Sequence, residues 1–310
     1  MSSSNKYHFR FYDWEEKLRD KPFLRQPFGD NWEVYTWGEA GLMARKLATG
    51  LKSLGLEKGS HIGLMSKNCR EWIIADLAII MAGYVSVPFF PNLKSHEIKN
   101  LLEFGDVKAL FMGKVENWDE IKNGVDNEMP VIAFPHYEGN SKIDRGYQWN
   151  DFINQFEAQK ENYHPNIDDI WTIIFTSGTT GNPKGVVLSH ANLLAAGQNV
   201  VTAHKITSED TGLCVLPIYH INGMCVTVMG SLVSASGLVI PYKFSVSSFW
   251  PQVKQHNVSW FSAVPTLFAY LLNDDVTPDI NTDRLRFARS ASAPLPPETH
   301  RKFETRLRYV

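Results

Sequence analysis

Cysteine is scarce: Cys69, Cys214 and Cys225 are the only three in 310 residues. Their odd number and lack of metal-ligand spacing argue against a disulfide framework or a thiolate zinc site. An excess of one charge is missing too. With 31 Lys and Arg against 33 Asp and Glu, the formal net charge is -2. No basic stripe is left to neutralise a nucleic-acid backbone, so small molecules are the expected partners. The start, MSSSNKYHFRFYDWEEK, lacks an apolar core and carries early acidic groups. It is unlike a secretory signal or transit peptide, and a cytoplasmic setting is expected. Low-complexity tracts, convincing internal repeats and a GxSxG nucleophile elbow are all absent, which disfavours disorder, a solenoid and a serine hydrolase.

What is present is an ordinary globular composition, 44% hydrophobic and 21% charged. The length suits about two domains burying roughly three quarters of the unfolded surface. Two apolar runs, 72–90 and 213–242, approach membrane-span length, and the second has no Asp, Glu, Lys or Arg. Asp76, Gly83 and Pro88 interrupt the first, while Pro217, His220, Asn222, Gly223, Gly230 and Gly237 interrupt the second. Parallel strands covered on both faces produce such runs without lipid. Buried core is therefore expected, with no integral membrane segment. Peripheral membrane contact and homo-oligomerisation are left open.

Local patterns alternate between two periods. Thr36 and Glu39 form a capping-box pair, Met43, Leu47, Leu51 and Leu54 recur at helical steps, and Gly55 ends the run. Then come HIGLM at 61–65, a helix over 70–82, YVSVPFF from 84, a helix over 95–104 and KALFM at 108–112. A second series starts at WTIIF, 171–175, with strands expected at 186–188, 213–216, 238–240, 258–263 and 286–289 and a helix opened by Ser189. The expected fold is α/β, two similar layered lobes with mostly parallel sheets flanked by helices. Residues 1–168 would form the first lobe and 169–310 the second. The last helix, from about 296, reaches Val310 without a stop signal, so the chain is expected to be incomplete.

Between the strand ending at Phe175 and the next lies TSGTTGNPKG, 176–185. Gly178 and Gly181 permit a sharp turn and close approach of backbone N–H groups to an anion. Thr176, Ser177, Thr179 and Thr180 offer hydroxyls, and Lys184 a cation. These properties suit phosphate. A Walker loop would place the lysine directly after a glycine and feed a helix, whereas Lys184 follows Pro183 and the flanks favour strands. The plainer alternative is a hydroxyl-rich hairpin without a ligand, since these are common turn residues.

All ten positions resemble the phosphate-binding motif of the adenylate-forming superfamily, which includes acyl-CoA synthetases, aryl-CoA ligases, firefly-type luciferases and peptide-synthetase adenylation domains. Further segments follow in that family's order. LPIYHINGM, 216–224, is similar to the wall of the carboxylate pocket, with His220 at the matching position beside Tyr219 and Gly223. AVPTLF, 263–268, resembles a segment bordering the acid, through Val264 and Pro265. RSASAPLPPE, 289–298, resembles the segment whose backbone lies along adenine, through Ser292, Ala293 and Pro294, with Ala291 where glycine is common. REWIIADLAIIMAGYVSVPFFP, 70–91, resembles a structural core motif.

The resemblance implies an incomplete N-terminal domain of the adenylate-forming fold. A carboxylate would attack the α-phosphate of magnesium ATP, and coenzyme A would then displace AMP. It assigns the phosphates to Ser177, Gly178, Thr179, Thr180, Gly181 and Lys184, and Mg2+ to Thr176. Lys184 and His220 would be the catalytic residues. The first half looks most like long-chain acyl-CoA synthetases, so a fatty acid is expected. The YGxTE-like segment, the ribose-gripping aspartate, the hinge and the C-terminal domain with its lysine do not occur. Little or no turnover is therefore expected of the chain alone. The alternative from another class is a naturally shortened, non-catalytic nucleotide-binding or interaction protein.

Overall fold

Thr36 opens the helix Trp37–Ser53 as predicted: its Oγ1 accepts from Glu39 N at 3.2 Å, while the Glu39 carboxylate accepts from Thr36 N at 2.8 Å. Ser189 and Asn192 cap the helix His190–His204 in the same reciprocal way. The computed structural model describes residues 9–28, 31–176, 183–273 and 284–307. Among these the strands are β1 (Pro22–Phe28), β2 (Asn31–Thr36), β3 (His61–Met65), β4 (Val85–Phe89), β5 (Val107–Met112), β6 (Val131–Ala133), β7 (Tyr147–Gln148), β8 (Ile170–Thr176), β9 (Lys184–Ser189), β10 (Thr211–Leu213), β11 (Gly237–Val239), β12 (Trp260–Ala263) and β13 (Phe287–Ser290).

They form two mostly parallel sheets flanked by helices. One runs β7-β6-β5-β3-β4-β8-β9, antiparallel only between β8 and β9; the other runs β13-β12-β10-β11-β1-β2, antiparallel only between β1 and β2. Sheet membership does not follow chain order. β1 and β2 complete the second sheet, while β8, just after the expected 168/169 junction, pairs with β4 of the first through Ser86 and Thr172. That junction therefore does not separate the sheets. Periodicity reports a strand's existence, whereas the edge it joins is a long-range choice.

Strand alternation splits the apolar side chains between layers. Ala109 and Phe111 of β5 belong to the core shared by both sheets, and Leu110 and Met112 to the core behind the first sheet. Leu238 of β11 likewise joins the shared core and Val239 the core behind the second sheet. Every residue of the helix Arg70–Ala82 is buried. This burial explains the apolar 72–90 run, and no helix among the described residues is long and apolar enough to cross a membrane.

A network of buried polar groups spans the seam between the sheets, with Arg70 NH1 as a buried donor that finds no acceptor among the described residues. Glu71, 1% exposed, accepts from Arg70 Nε at 3.0 Å and from the Tyr137 hydroxyl at 2.5 Å. Gln26 of β1 donates to that same hydroxyl and accepts from Arg70 N at 2.7 Å. Arg70 also reaches Glu33 of β2 at 2.5 Å. Burial, reinforced by the Glu71 carboxylate, pushes the Tyr137 phenol far above its ordinary range, so it remains a donor.

Deeper in the shared layer, Asp76 is 3% exposed and accepts from Trp171 Nε1 at 3.1 Å. Burial pushes its carboxyl from 3.8 up to about 6, which Ser86 and Trp171 offset only in part. A raised folded-state value means that this group favours the native state most below pH 3.8 and loses that contribution as pH rises through about 6. His190, with its ring 4.9 Å from that of Trp171, behaves oppositely. Burial lowers it from 6.5 to about 4, so its contribution is complete above 6.5 and lost as pH falls through about 4. The two slopes oppose each other between these limits. Asp76→Asn is expected to stabilise the protein at pH 7 by about 1–3 kcal/mol, with the gain vanishing below about pH 4. Urea melts of both proteins from pH 4 to 7 check this; a constant difference would show that Asp76 does not titrate in this window.

Candidate functional site

Several of the expected site residues lie at the carboxyl ends of parallel strands, where open α/β sheets place ligands. Thr176 ends β8, Val264 and Pro265 follow β12, and Ser292 follows β13. Tyr219 and His220 lie between β10 and the π-helix Gly223–Val228. Ser177, Gly178, Thr179, Thr180 and Gly181 lie outside the described residues. The structure therefore shows the two ends of the loop: Thr176 and Lys184 are partners across the antiparallel β8–β9 pair, and both are exposed. The Lys184 ammonium has no carboxylate partner among the described residues.

Phe90 packs against the two rings expected to face the acid. Ser86 of β4 pairs with Thr172 of β8, and Phe90 directly follows the end of β4 as Thr176 closes β8. The Phe90 ring meets Tyr219 edge-on at 5.4 Å and His220 at 6.3 Å. Burial raises the Tyr219 phenol, which stays neutral. Asn68, just before the helix Arg70–Ala82, fixes the approach to these rings. Its side chain donates to Leu216 O at 2.8 Å and accepts from Ile218 N at 2.9 Å, replacing a strand partner with an amide.

The segment that carries Tyr219 and His220 is tied to the one expected along adenine. Asn222 donates to Ser292 Oγ at 2.9 Å, and Arg289 of β13 donates to Asn222 Oδ1 at 3.3 Å. Ser292 has φ 70°, a left-handed conformation costly for a residue with a Cβ. Ala291, where glycine is common in the family, is not the strained position. Ser292, Ala293 and Pro294 are exposed; Val264 and Pro265 are half-buried. At Gly223 a Cβ would lie 2.1 Å from Pro217 O, so only glycine fits the return of the chain.

Asn68, Phe90, Asn222 and Arg289 escaped the sequence reading. Phe90 sits in an apolar run that reads as core, and its neighbour β8 is remote in sequence. Cys69, Cys214 and Cys225 are free and buried, and burial pushes their thiols up to about 12, 12 and 11, which suits packing rather than thiolate chemistry. Among the described residues no cluster of three His, Cys, Asp or Glu could hold a metal ion.

The family described as AMP-binding enzyme matches residues 11–309, and the chain belongs to it. Similar proteins include the sulfoacetate–CoA ligase of Cupriavidus necator, 32% identical over 302 residues, covering 93% of this chain and 54% of that protein. The 4-coumarate–CoA ligase 3 of Arabidopsis thaliana is 29% identical over 304 residues, covering 97% and 53%. An anthranilate CoA ligase solved with anthranoyl-AMP shares the fold, with a TM-score of 0.86 over 100% of this chain and 60% of that one at 19% identity. The chain spans about half the length of the curated relatives it matches.

Proposed function

We propose that this chain binds ATP and a carboxylic acid for acyl-adenylate formation, within an acid–thiol ligase that passes the acyl group to coenzyme A. The supporting observation is Phe90, which follows the strand paired with β8, whose end opens the phosphate loop, and is in contact with Tyr219 and His220. A carboxylate oxygen attacks the α-phosphorus of ATP, the bond to pyrophosphate breaks, and the acyl adenylate forms. The thiol sulfur of coenzyme A then bonds to the acyl carbon, and AMP leaves with the electron pair. Both reactants of the first step are anionic, so the chain contributes orientation and charge neutralisation.

Lys184 and the backbone and hydroxyls of residues 177–181 take the phosphates. Tyr219, His220 and Phe90, with Gly223, Val264 and Pro265, orient the acid; Ser292, Ala293 and Pro294 take the adenine. Mg2+ bound with ATP keeps water and phosphate ligands and needs few from protein, which suits the single exposed hydroxyl of Thr176. Because the chain spans half of its relatives' length, little turnover is expected from it alone, and binding is the informative measurement.

Lys184→Ala is expected to weaken binding of a non-hydrolysable ATP analogue about 10- to 100-fold, the worth of a charge-assisted hydrogen bond. Stability should barely change, because the side chain is exposed on an edge strand. Calorimetric titration of both proteins decides it; equal affinities would remove Lys184 from the phosphate site.

The relatives' named acids, sulfoacetate and 4-coumarate, differ in size and charge, so likeness alone selects no acid. A fatty acid would find apolar walls at Phe90, Tyr219 and Val264.

A further inference from the structure

We propose that Arg289 makes the acid site selective for carboxylic acids carrying a second anionic group, a carboxylate or sulfonate, at the end away from the activated carboxyl. The inference rests on the ATP- and acid-binding reading of the site. Arg289 stands level with Ser262 in the parallel β12–β13 pairing. Its NH1 donates to Ser262 Oγ at 3.1 Å and to Asn222 Oδ1 at 3.3 Å, and both acceptors are neutral. Among the described residues Nε and NH2 make no hydrogen bond and no carboxylate pairs with the guanidinium. Arg286, three residues earlier, by contrast reaches Asp210 at 3.1 Å.

Half-burial lowers the Arg289 pKa by desolvation, yet a guanidinium keeps its charge. A charge partly withdrawn from water and held by neutral groups, with a donor edge unused, is complementary to a planar or tetrahedral anion. Its location identifies which one. Asn222, bonded to the guanidinium, is two residues from His220, at most about 7 Å of chain, so the cation lies beside the wall that faces the acid. The ends of the phosphate loop, Thr176 and Lys184, belong to the other sheet. Arg289 and its partner Asn222 lie on the side of the second sheet, next to His220, so the anion assigned to the guanidinium is the non-reacting end of the acid, and the ATP-analogue titration below separates it from the phosphates.

The test titrates the full chain, in the presence of a non-hydrolysable ATP analogue, with malonate, succinate and sulfoacetate against propionate and butyrate. Wild type is expected to bind the doubly anionic acids at least about 10-fold more tightly. Arg289→Gln should abolish that preference with unchanged affinity for the ATP analogue, and Arg289→Lys should keep part of it. Equal or tighter binding of the monocarboxylates by wild type overturns the proposal, as does a preference that survives in Arg289→Gln. Loss of ATP-analogue affinity in Arg289→Gln, with acid preference intact, would reassign the guanidinium to the phosphates. Should Arg289→Gln fail to fold, the wild-type preference and its reduction in Arg289→Lys still decide. Failure of wild type to bind the ATP analogue at all would overturn the site reading itself, and this inference with it.

Discussion

Glu71→Ala is expected to lower the unfolding free energy by about 3–5 kcal/mol, the cost of removing one partner from a buried charge pair. The carboxylate is nearly inaccessible and accepts from both Arg70 and Tyr137. Alanine would leave the Tyr137 hydroxyl buried without its acceptor and Arg70 with only Glu33 to balance it. The damage would reach both sheets, because Gln26 of β1 bonds to the same hydroxyl and to Arg70 N. Glu71→Gln, which keeps the size and one acceptor, should cost less. Urea denaturation of the three proteins measures this; a loss below about 1 kcal/mol for alanine would mean that apolar packing, and not the polar seam, joins the sheets.

Gly223→Ala is expected to cost about 3 kcal/mol, at the upper end of ordinary overpacking, and to abolish acid binding. The added Cβ would meet Pro217 O at 2.1 Å, Pro217 C at 2.6 Å and Ile218 Cα at 3.0 Å, all backbone atoms that no rotamer change moves aside. The 216–218 segment cannot retreat cheaply, since Asn68 holds Leu216 O and Ile218 N. The π-helix would have to shift instead, taking Asn222 and His220 with it. Gly230→Ala is the control, because its Cβ would find nothing nearer than 3.4 Å. Thermal melts with the ATP analogue, with and without acid, separate the effects. Gly223→Ala should keep the nucleotide shift and lose the acid shift, and retention of both would show that the loop yields without harm to the site.

The parts of this protein legible in its residues are those with local causes. The Thr36/Glu39 and Ser189 helix starts are set by hydrogen bonds spanning three residues, and the HIGLM and KALFM strands announce themselves by composition. The phosphate loop was legible because glycines, hydroxyls and a lysine are crowded into ten positions, although residues 177–182 lie outside the described part of the structure. Little marked 22–36 as strands: PFLRQPF carries two prolines and an arginine, and its pairing partner on one side is β11, more than 200 residues away. The lobes were read as consecutive for the same reason, since local periodicity carries no information about which sheet edge a strand joins.

The amino-acid order by itself determined the class of fold and the family motif of the nucleotide loop. Tertiary structure alone decided that β8 lies beside β4, that Phe90, just past the end of β4, meets Tyr219 and His220, and that Arg289 meets neutral groups instead of a carboxylate. The physical reason is separation along the chain. Turn, cap and strand preferences act over a few residues, whereas the proximity of Phe90 to His220, or of Arg289 to Asn222, exists only after both sheets have closed over their shared helical layer.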